Sequence, residues 1–276
     1  IFHEGLRLGP TRIVSRFKQI PEWYDLLTRN TRLKDMTIGD LNAQITAIRT
    51  GERRLGQILD RIGADTYRAA CANIFEQARL LDREAIAKLK DGTYSREGYL
   101  DDDGVGTEPV KVALSLTIEG ERMIIDLDGS SGPVEGSINC GAVQTGSLLR
   151  LAYKTMINPD RAITGGSFST MEVRIPEKCM FNAKEPAACE WYFTGLGLLA
   201  DLMISCLGEA MPHKATAAHY GDSMVAAFFD MDPERGQWIS VEPTAGGWGG
   251  TVGQDGESAL INLVNGGFRN LPAEVY

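Results

Sequence analysis

Histidine is scarce in this chain of 276 residues: there are three, His3, His213 and His219. None has a second His or Cys at the spacing of a metal-ligand pair. The five cysteines (Cys71, Cys140, Cys179, Cys189, Cys206) are odd in number and lack any C-x-x-C spacing, and no signal peptide pattern stands before them. A disulfide framework is therefore excluded, and a reduced, cytoplasmic setting is the expectation. No G-x-x-x-x-G-K-[ST] occurs, so the chain carries no P-loop of its own. The longest apolar stretch, Trp191 to Leu207, is interrupted by Asp201 and by Gly and Ser, too short and too broken to span a bilayer. Positive charge is also in deficit, with 28 Lys and Arg against 37 Asp and Glu and a net charge of −9. Nucleic acid and anionic membranes are poor partners for such a surface.

What is present is an ordinary globular composition, 43% hydrophobic and 24% charged, with one excess: 31 glycines. The charge is unevenly spread. Residues 1–100 carry 17 basic and 13 acidic groups, leaving 11 and 24 for the remainder. The first third reads as helical. Thr37 can cap a helix with Ile38, Leu41, Ile45 and Ile48 on its apolar face and Gly51 as its end. A short helix with Leu55, Ile58, Leu59 and Ile62 follows and stops at Gly63. A longer one runs from Ala64 to Lys90 and closes at Asp91-Gly92. The character then changes. Val110–Ile118 alternates, Glu119-Gly120 is a turn and Arg122–Leu127 returns, a β-hairpin. Residues 142–157 have helical spacing, Met171–Ile175 is an edge strand ended by Pro176, and Cys189–Met211 is a helix apolar all round. Met224–Phe229 and Trp238–Val241 are strands. The expected class is α+β: a helical region over 1–92, then an α+β region over 93–276 with a mixed, mostly antiparallel sheet and packed helices. The chain opens at Ile1 with no Met and reads as mid-domain sequence, so a fragment of a larger subunit is expected.

Five motifs are candidates for chemistry. Gly195-Leu-Gly197-Leu-Leu-Ala200 matches G-x-G-x-x-A, with Asp222 at 22 residues' distance, but no strand and turn lead into it. Close helix packing explains these glycines better than a dinucleotide. Asp126-Leu-Asp128-Gly-Ser-Ser leads through a Gly/Ser loop to Asn139-Cys140 before a helix. It is either a wide turn or a loop whose N–H groups face an anion, with Asp128 and Asn139 as candidate catalytic groups. Thr244–Gly256 holds six glycines in 13 positions. Its backbone must approach something closely, either a ligand or a neighbouring segment. Gly247, Trp248, Gly249 and Asp255 are its candidate substrate-binding residues, with Asp255 holding the loop through its own turn bonds. His219-Tyr-Gly-Asp222 sets an imidazole on a turn, a hydrogen-bonded structural histidine or a catalytic one; a Cys140–His219 nucleophile–base pair would need the two to meet. Asp101-Asp102-Asp103-Gly104 lacks calcium-loop spacing and reads as a turn.

In order along the chain, Phe2-His-Glu-Gly-Leu6, Leu41-Asn-Ala-Gln44, Asp91-Gly-Thr-Tyr94, Leu100–Gly104, Asp126–Ser131, Ile138-Asn139, Glu185-Pro-Ala-Ala188 and Gly246-Gly247 with Asp255-Gly256 resemble the hydantoinase B/oxoprolinase family. Members run to about twice this length, so sequence is expected upstream and downstream. The resemblance implies the B-type catalytic subunit of an ATP-dependent enzyme. A hydantoinase A-type partner, carrying ATP and Mg, would phosphorylate the carbonyl or enol oxygen of a small substrate. The B-type subunit would then complete ketone carboxylation or the hydrolysis of a cyclic amide such as a hydantoin, 5-oxoproline or a lactam. A non-catalytic assembly subunit is the third reading. The family's divalent metal, Zn or Mn, is expected on His and Asp residues before Ile1, with no ligand mapped onto this chain. Ala218–Ser223 departs from the common pattern and inclines the reading toward carboxylation.

Overall fold

A computed structural model describes residues 8–31, 33–221, 225–232 and 236–265. The chain divides into two compact units, Ile1–Asn73 and Ile74–Tyr276. The change of character at Gly92 marks the first strand of the main sheet, while the division itself falls earlier, inside a helix.

In the first unit, β1 (Val14–Ser15) and β2 (Lys18–Gln19) form a two-residue-turn hairpin. Arg16 and Phe17 both adopt positive φ there, as a turn matched to strand twist requires. Helix α1 (Pro21–Arg29) begins on a proline whose fixed φ suits a first turn. Helix α2 then runs unbroken over Lys34–Ile62, where the sequence suggests two helices parted at Gly51. A helical glycine costs only about 1 kcal/mol against alanine, which is too little to end a helix. Thr37 lies inside the first turn and returns its hydroxyl to the Leu33 carbonyl at 3.0 Å instead of capping. The helix stops at Gly63, which takes φ +79 and donates its N–H to Leu59 O at 2.8 Å. Helix α3 (Ala64–Ile86) follows.

The second unit is a helix-covered sheet. Strands β3 (Gly92–Leu100), β4 (Val110–Glu119), β5 (Arg122–Asp126) and β6 (Met171–Arg174) stand in that order. The first three pair antiparallel, and β6 joins β5 in parallel at the edge. The 110–127 hairpin and the Pro-ended edge strand stand where periodicity places them. Strand β3 is not legible in the sequence: Thr93, Ser95, Glu97 and Gly98 look like loop. It forms because its whole length pairs with β4, from Gly92↔Ile118 to Leu100↔Val110.

One face of β4 (Val112, Leu114, Leu116, Ile118) is buried, continued by Met123 and Ile125 of β5. Helices α4 (Ala142–Met156) and α5 (Tyr192–Ala210) lie in the same core. By length and composition α5 could cross a bilayer, but most of it is buried in the protein. Its Leu198 sits over Gly98 of β3, where a Cβ would stand 2.9 Å from the leucine methyl. The opposite face of the sheet is polar, with Thr93 facing Thr117 and Glu97 paired to Lys111 at 2.6 Å. Beyond α5, β7 (Val225–Asp232) and β8 (Gly236–Pro243) form an exposed hairpin, and β9 (Gly246–Gly247) pairs with β10 (Ser258–Leu260). Met224, the expected first residue of β7, and Asp222 lie outside the described residues, as does the Phe2–Leu6 motif. The α+β class with packed helices and a mostly antiparallel sheet is the architecture observed.

Candidate functional site

Asp201 is the one carboxylate in the middle of α5, and burial explains what it must do. A carboxylate in an apolar helix needs donors. It accepts the backbone N–H of His219 at 3.1 Å, and its Oδ1 lies 2.6 Å from His219 Nδ1. The His219 side chain is 3% exposed. With an ionised carboxylate on Nδ1, that nitrogen carries the proton and Nε2 presents its lone pair. Nε2 is buried and has no hydrogen-bond partner among the described residues. Against the imidazole stands the Trp248 ring, with centroids 5.4 Å apart and planes at 57°. Trp248 is itself held: its Nε1 donates to Ile261 O at 2.9 Å and its backbone N–H to Glu257 O at 2.9 Å. Two candidates far apart in sequence, His219 and Trp248, thus come together. Sequence reasoning misses the residue that fixes them, Asp201. Its signal is a lone charge in an otherwise apolar helix, which a reading for membrane spans treats only as an interruption.

The glycines explain how the segment carrying His219 reaches the helix. A Cβ on Gly197 would lie 1.7 Å from Gly221 O, so only glycine lets the backbone of residues 219–221 touch α5. Gly195 and Gly197 serve close packing, inside an uninterrupted helix. On the other side, Ala217 N–H donates to Gly250 O and Tyr220 N–H to Gly247 O. Thr244–Gly256 is therefore packed on a neighbouring segment of its own chain, the second of the two options its glycines leave open. A Cβ on Gly249 would meet Ala217 O at 2.1 Å. Gly247 differs, with its nearest neighbour, Glu257 O, 4.0 Å from a built Cβ. Asp255 is exposed and does not anchor the loop. The tight turn is closed by the backbone of Thr251 and Gln254, bonded both ways at 2.9 and 3.2 Å.

The 126–140 loop gathers elsewhere. Several of its amides are taken up by the chain itself: Ser131 N–H donates to Lys111 O, Gly136 N–H to Asp103 Oδ2 and Cys140 N–H to Met180 O. Ser130 Oγ accepts from Ala113 N and donates to Ala113 O, extending the ladder where β5 has ended. Asn139 is wholly buried, accepting Val134 N–H and donating to the carbonyls of Val134, Gly136 and Ala188, all at 2.9 Å. Its amide is spent tying the loop together. Asp128 is exposed beside Ser95, Glu97, Lys111 and Ser115, in an open hollow of about 430 Å³ on the polar face of the sheet. Cys140 contacts Thr145, not His219, and burial pushes its thiol up to about 11, the opposite of a nucleophile's need. Asp103 holds the Asp-rich turn: N–H groups of Gly106, Gly136 and Val105 bring its carboxyl down to about 2. Among the described residues no three His, Cys, Asp or Glu stand together as a metal site, and Asp201 with His219 offers two ligands at most. The described residues do not fit a metal.

A family model for hydantoinase B/oxoprolinase matches residues 1–276. The chain belongs to that family. It is 28% identical over 284 residues to a protein from Pseudomonas sp. (strain NS671) that is provisionally named the B subunit of a D-/L-hydantoinase, covering 99% of this chain and 48% of that one. The crystal structure of ATP-dependent caprolactamase from Pseudomonas jessenii matches with a TM-score of 0.83 and 26% identity, over 96% of this chain and 46% of that one. Nucleotide-free acetone carboxylase shares the fold, with a TM-score of 0.84 and 17% identity over 99% of this chain and 39% of its own. This hydantoinase B/oxoprolinase chain thus spans about half, or less, of the length of these relatives.

Proposed function

We propose that this chain is part of the B-type subunit of an ATP-dependent enzyme that opens a cyclic amide, with His219 as the proton-transfer residue. The carrying observation is the buried imidazole with Nδ1 held by Asp201 and Nε2 free of partners among the described residues. Ring opening by water needs a base to take the water proton as oxygen attacks the carbonyl carbon, and an acid to protonate the leaving nitrogen. A neutral histidine with one defined tautomer can do both in turn. Asp201 is a positioning residue: it selects the tautomer and balances the imidazolium charge. Trp248 supplies a flat apolar wall, which strengthens the proton transfer by excluding water. ATP and Mg are assigned to a hydantoinase A-type partner, whose phosphorylation of the amide oxygen would make that carbon electrophilic; after water adds and the C–N bond breaks with a proton passed to nitrogen, the acyl phosphate left behind is hydrolysed by a second water to carboxylate and inorganic phosphate. None of these steps runs through a metal.

Hydrolysis is proposed ahead of the carboxylation that Ala218–Ser223 suggests on the extent of the matches: the hydantoinase subunit is 28% identical over 99% of this chain and the caprolactamase 26% over 96%, whereas the acetophenone carboxylase delta subunit reaches 28% over only 48% and acetone carboxylase 17% over 99%. The test is ATP-dependent turnover of hydantoins and lactams by the complete protein with its ATPase partner, alongside bicarbonate fixation onto ketones. His219→Gln should lower kcat by about 10²–10⁴, and Asp201→Asn should lower it and shift the pH profile. Turnover of His219→Gln within threefold of wild type refutes the assignment. Carboxylate formation without ring opening selects the other reaction. Loss of complex formation in both variants instead favours an assembly role.

A further inference from the structure

A second cluster shares no residue with Asp201, His219 or Trp248. Ile74, Gln77, Ala78, Leu81 and Asp82 of α3, Lys154 of α4, and Arg161, Ala162 and Ser167 of the following loop enclose a cavity of about 130 Å³. Lys154 is 5% exposed; its charge acts on Asp82 across the cavity and favours the ionised carboxyl, yet it makes no side-chain hydrogen bond among the described residues. A lysine this buried is almost always paired. Asp82, 2% exposed, is the nearest buried carboxylate, but both its oxygens are already engaged. Tyr153 OH donates to Oδ2 at 3.1 Å, and Asn158 Nδ2 donates to Oδ1 at 2.8 Å. Asn158 is held in the left-handed region, φ 50, to make that contact. Two cations therefore face one cavity against a single carboxylate, whose oxygens take hydrogen bonds from neutral donors while its charge offsets only one of the two. The excess charge is positive, and the remaining polar lining is the Gln77 amide and the Ser167 hydroxyl.

From this arrangement we infer that the cavity is a binding site for a small oxyanion of the phosphate class, held between Lys154 and Arg161. The volume is well below the roughly 300 Å³ at which pockets for drug-sized ligands begin, so a nucleotide is too large and a single inorganic ion suits it. Lysine brings a point charge with three donors and arginine a planar fork, the pairing that phosphate oxygens favour.

The experiment is calorimetric titration of the complete protein with sodium phosphate, paired with thermal unfolding in phosphate and in sodium chloride at equal ionic strength. Saturable binding with phosphate-specific stabilisation is expected. Arg161→Gln, at an exposed position, should weaken the dissociation constant at least fivefold, and Lys154→Met should abolish binding. If Lys154→Met does not fold, Arg161→Gln decides alone. Parallel titrations with bicarbonate and acetate separate the sources: tighter binding of either assigns the site to a planar carboxylate-like oxyanion instead of phosphate. Stabilisation equal in phosphate and chloride, or unchanged phosphate affinity in Arg161→Gln, overturns the inference.

Discussion

Replacing Gly197 by alanine sets two effects of opposite sign against each other. In a helix interior alanine is favoured over glycine by about 1 kcal/mol, so propensity alone would stabilise α5. The added Cβ, however, would lie 1.7 Å from Gly221 O and 2.8 Å from Gly221 C. The obstacle is backbone, and it cannot swing away as a side chain would. Its segment is fastened on both sides, by His219 N–H on Asp201 and by Tyr220 N–H on Gly247 O. Overpacking of this kind costs about 1–3 kcal/mol, occasionally more. The expected net is a loss of up to about 2 kcal/mol, which at about 2–4 °C per kcal/mol lowers Tm by up to several degrees. The clash also pushes directly on the segment that carries His219, so turnover should fall further than stability accounts for. Gly51→Ala is the internal control, because nothing lies within 4 Å of its built Cβ. There the propensity gain stands alone, and helix stability should rise by up to about 1 kcal/mol. Thermal unfolding followed by circular dichroism reads both. A Gly197→Ala protein stabilised as much as Gly51→Ala would mean that the 219–221 segment is not seated on α5 as described.

Gly249→Ala should impair stability and turnover, whereas Gly247→Ala should be close to neutral in both; equal behaviour of the pair in a side-by-side melt and activity assay contradicts the packing described. Asn139→Ala leaves one amide and three carbonyls without their partner, at about 1–3 kcal/mol for each buried group left unmade, so it should fail in thermal unfolding while exposed Asp128→Asn melts like wild type. The Asp103 carboxyl is lower when folded, about 2 against an ordinary 3.8, so its contribution is complete above about pH 4 and is lost as pH falls from there through 2. Protection of the Gly106 and Gly136 amides, measured against their intrinsic exchange rates at each pH, should fall over that acid window, and Asp103→Asn should remove that pH dependence.

Periodicity locates the core well because the core is where side-chain identity decides structure. The alternation of Val110–Ile118 and the apolar Tyr192–Ala210 segment bury the residues their spacing marks, and the run of residues 142–157 does so at Leu148, Leu149 and Met156 while Val143, at its start, is exposed. The failures have the opposite cause. Strand β3 has few side chains to bury on its own account, since Tyr94 is its one buried residue, and a long-range pairing with β4 decides its state. Helix α2 buries none of its 29 residues, so glycine positions are the main guide to its ends. They mislead, because a glycine stops a helix only when the chain needs positive φ there. Gly63 meets that condition and Gly51 does not.

The site is half legible for a related reason. Residue chemistry picks out His219 and Trp248, but it cannot tell a glycine that approaches a ligand from one that approaches its own chain. Both demand a missing Cβ. Gly249 and Gly197 both press on the segment 217–221, one against Ala217 and the other against Gly221. What the two glycine-rich sequences share is a single strip of backbone held between them, with His219 in its middle. Asp201 completes the arrangement from α5, four residues after Gly197 and so one turn along the same helix face. A carboxylate placed one turn beyond a backbone-contacting glycine can reach both the N–H and the side chain of the strip residue it faces, and His219 receives both contacts. The glycines therefore need not bind substrate to matter to catalysis: they set the distance at which Asp201 fixes the imidazole, and so the direction in which Nε2 points.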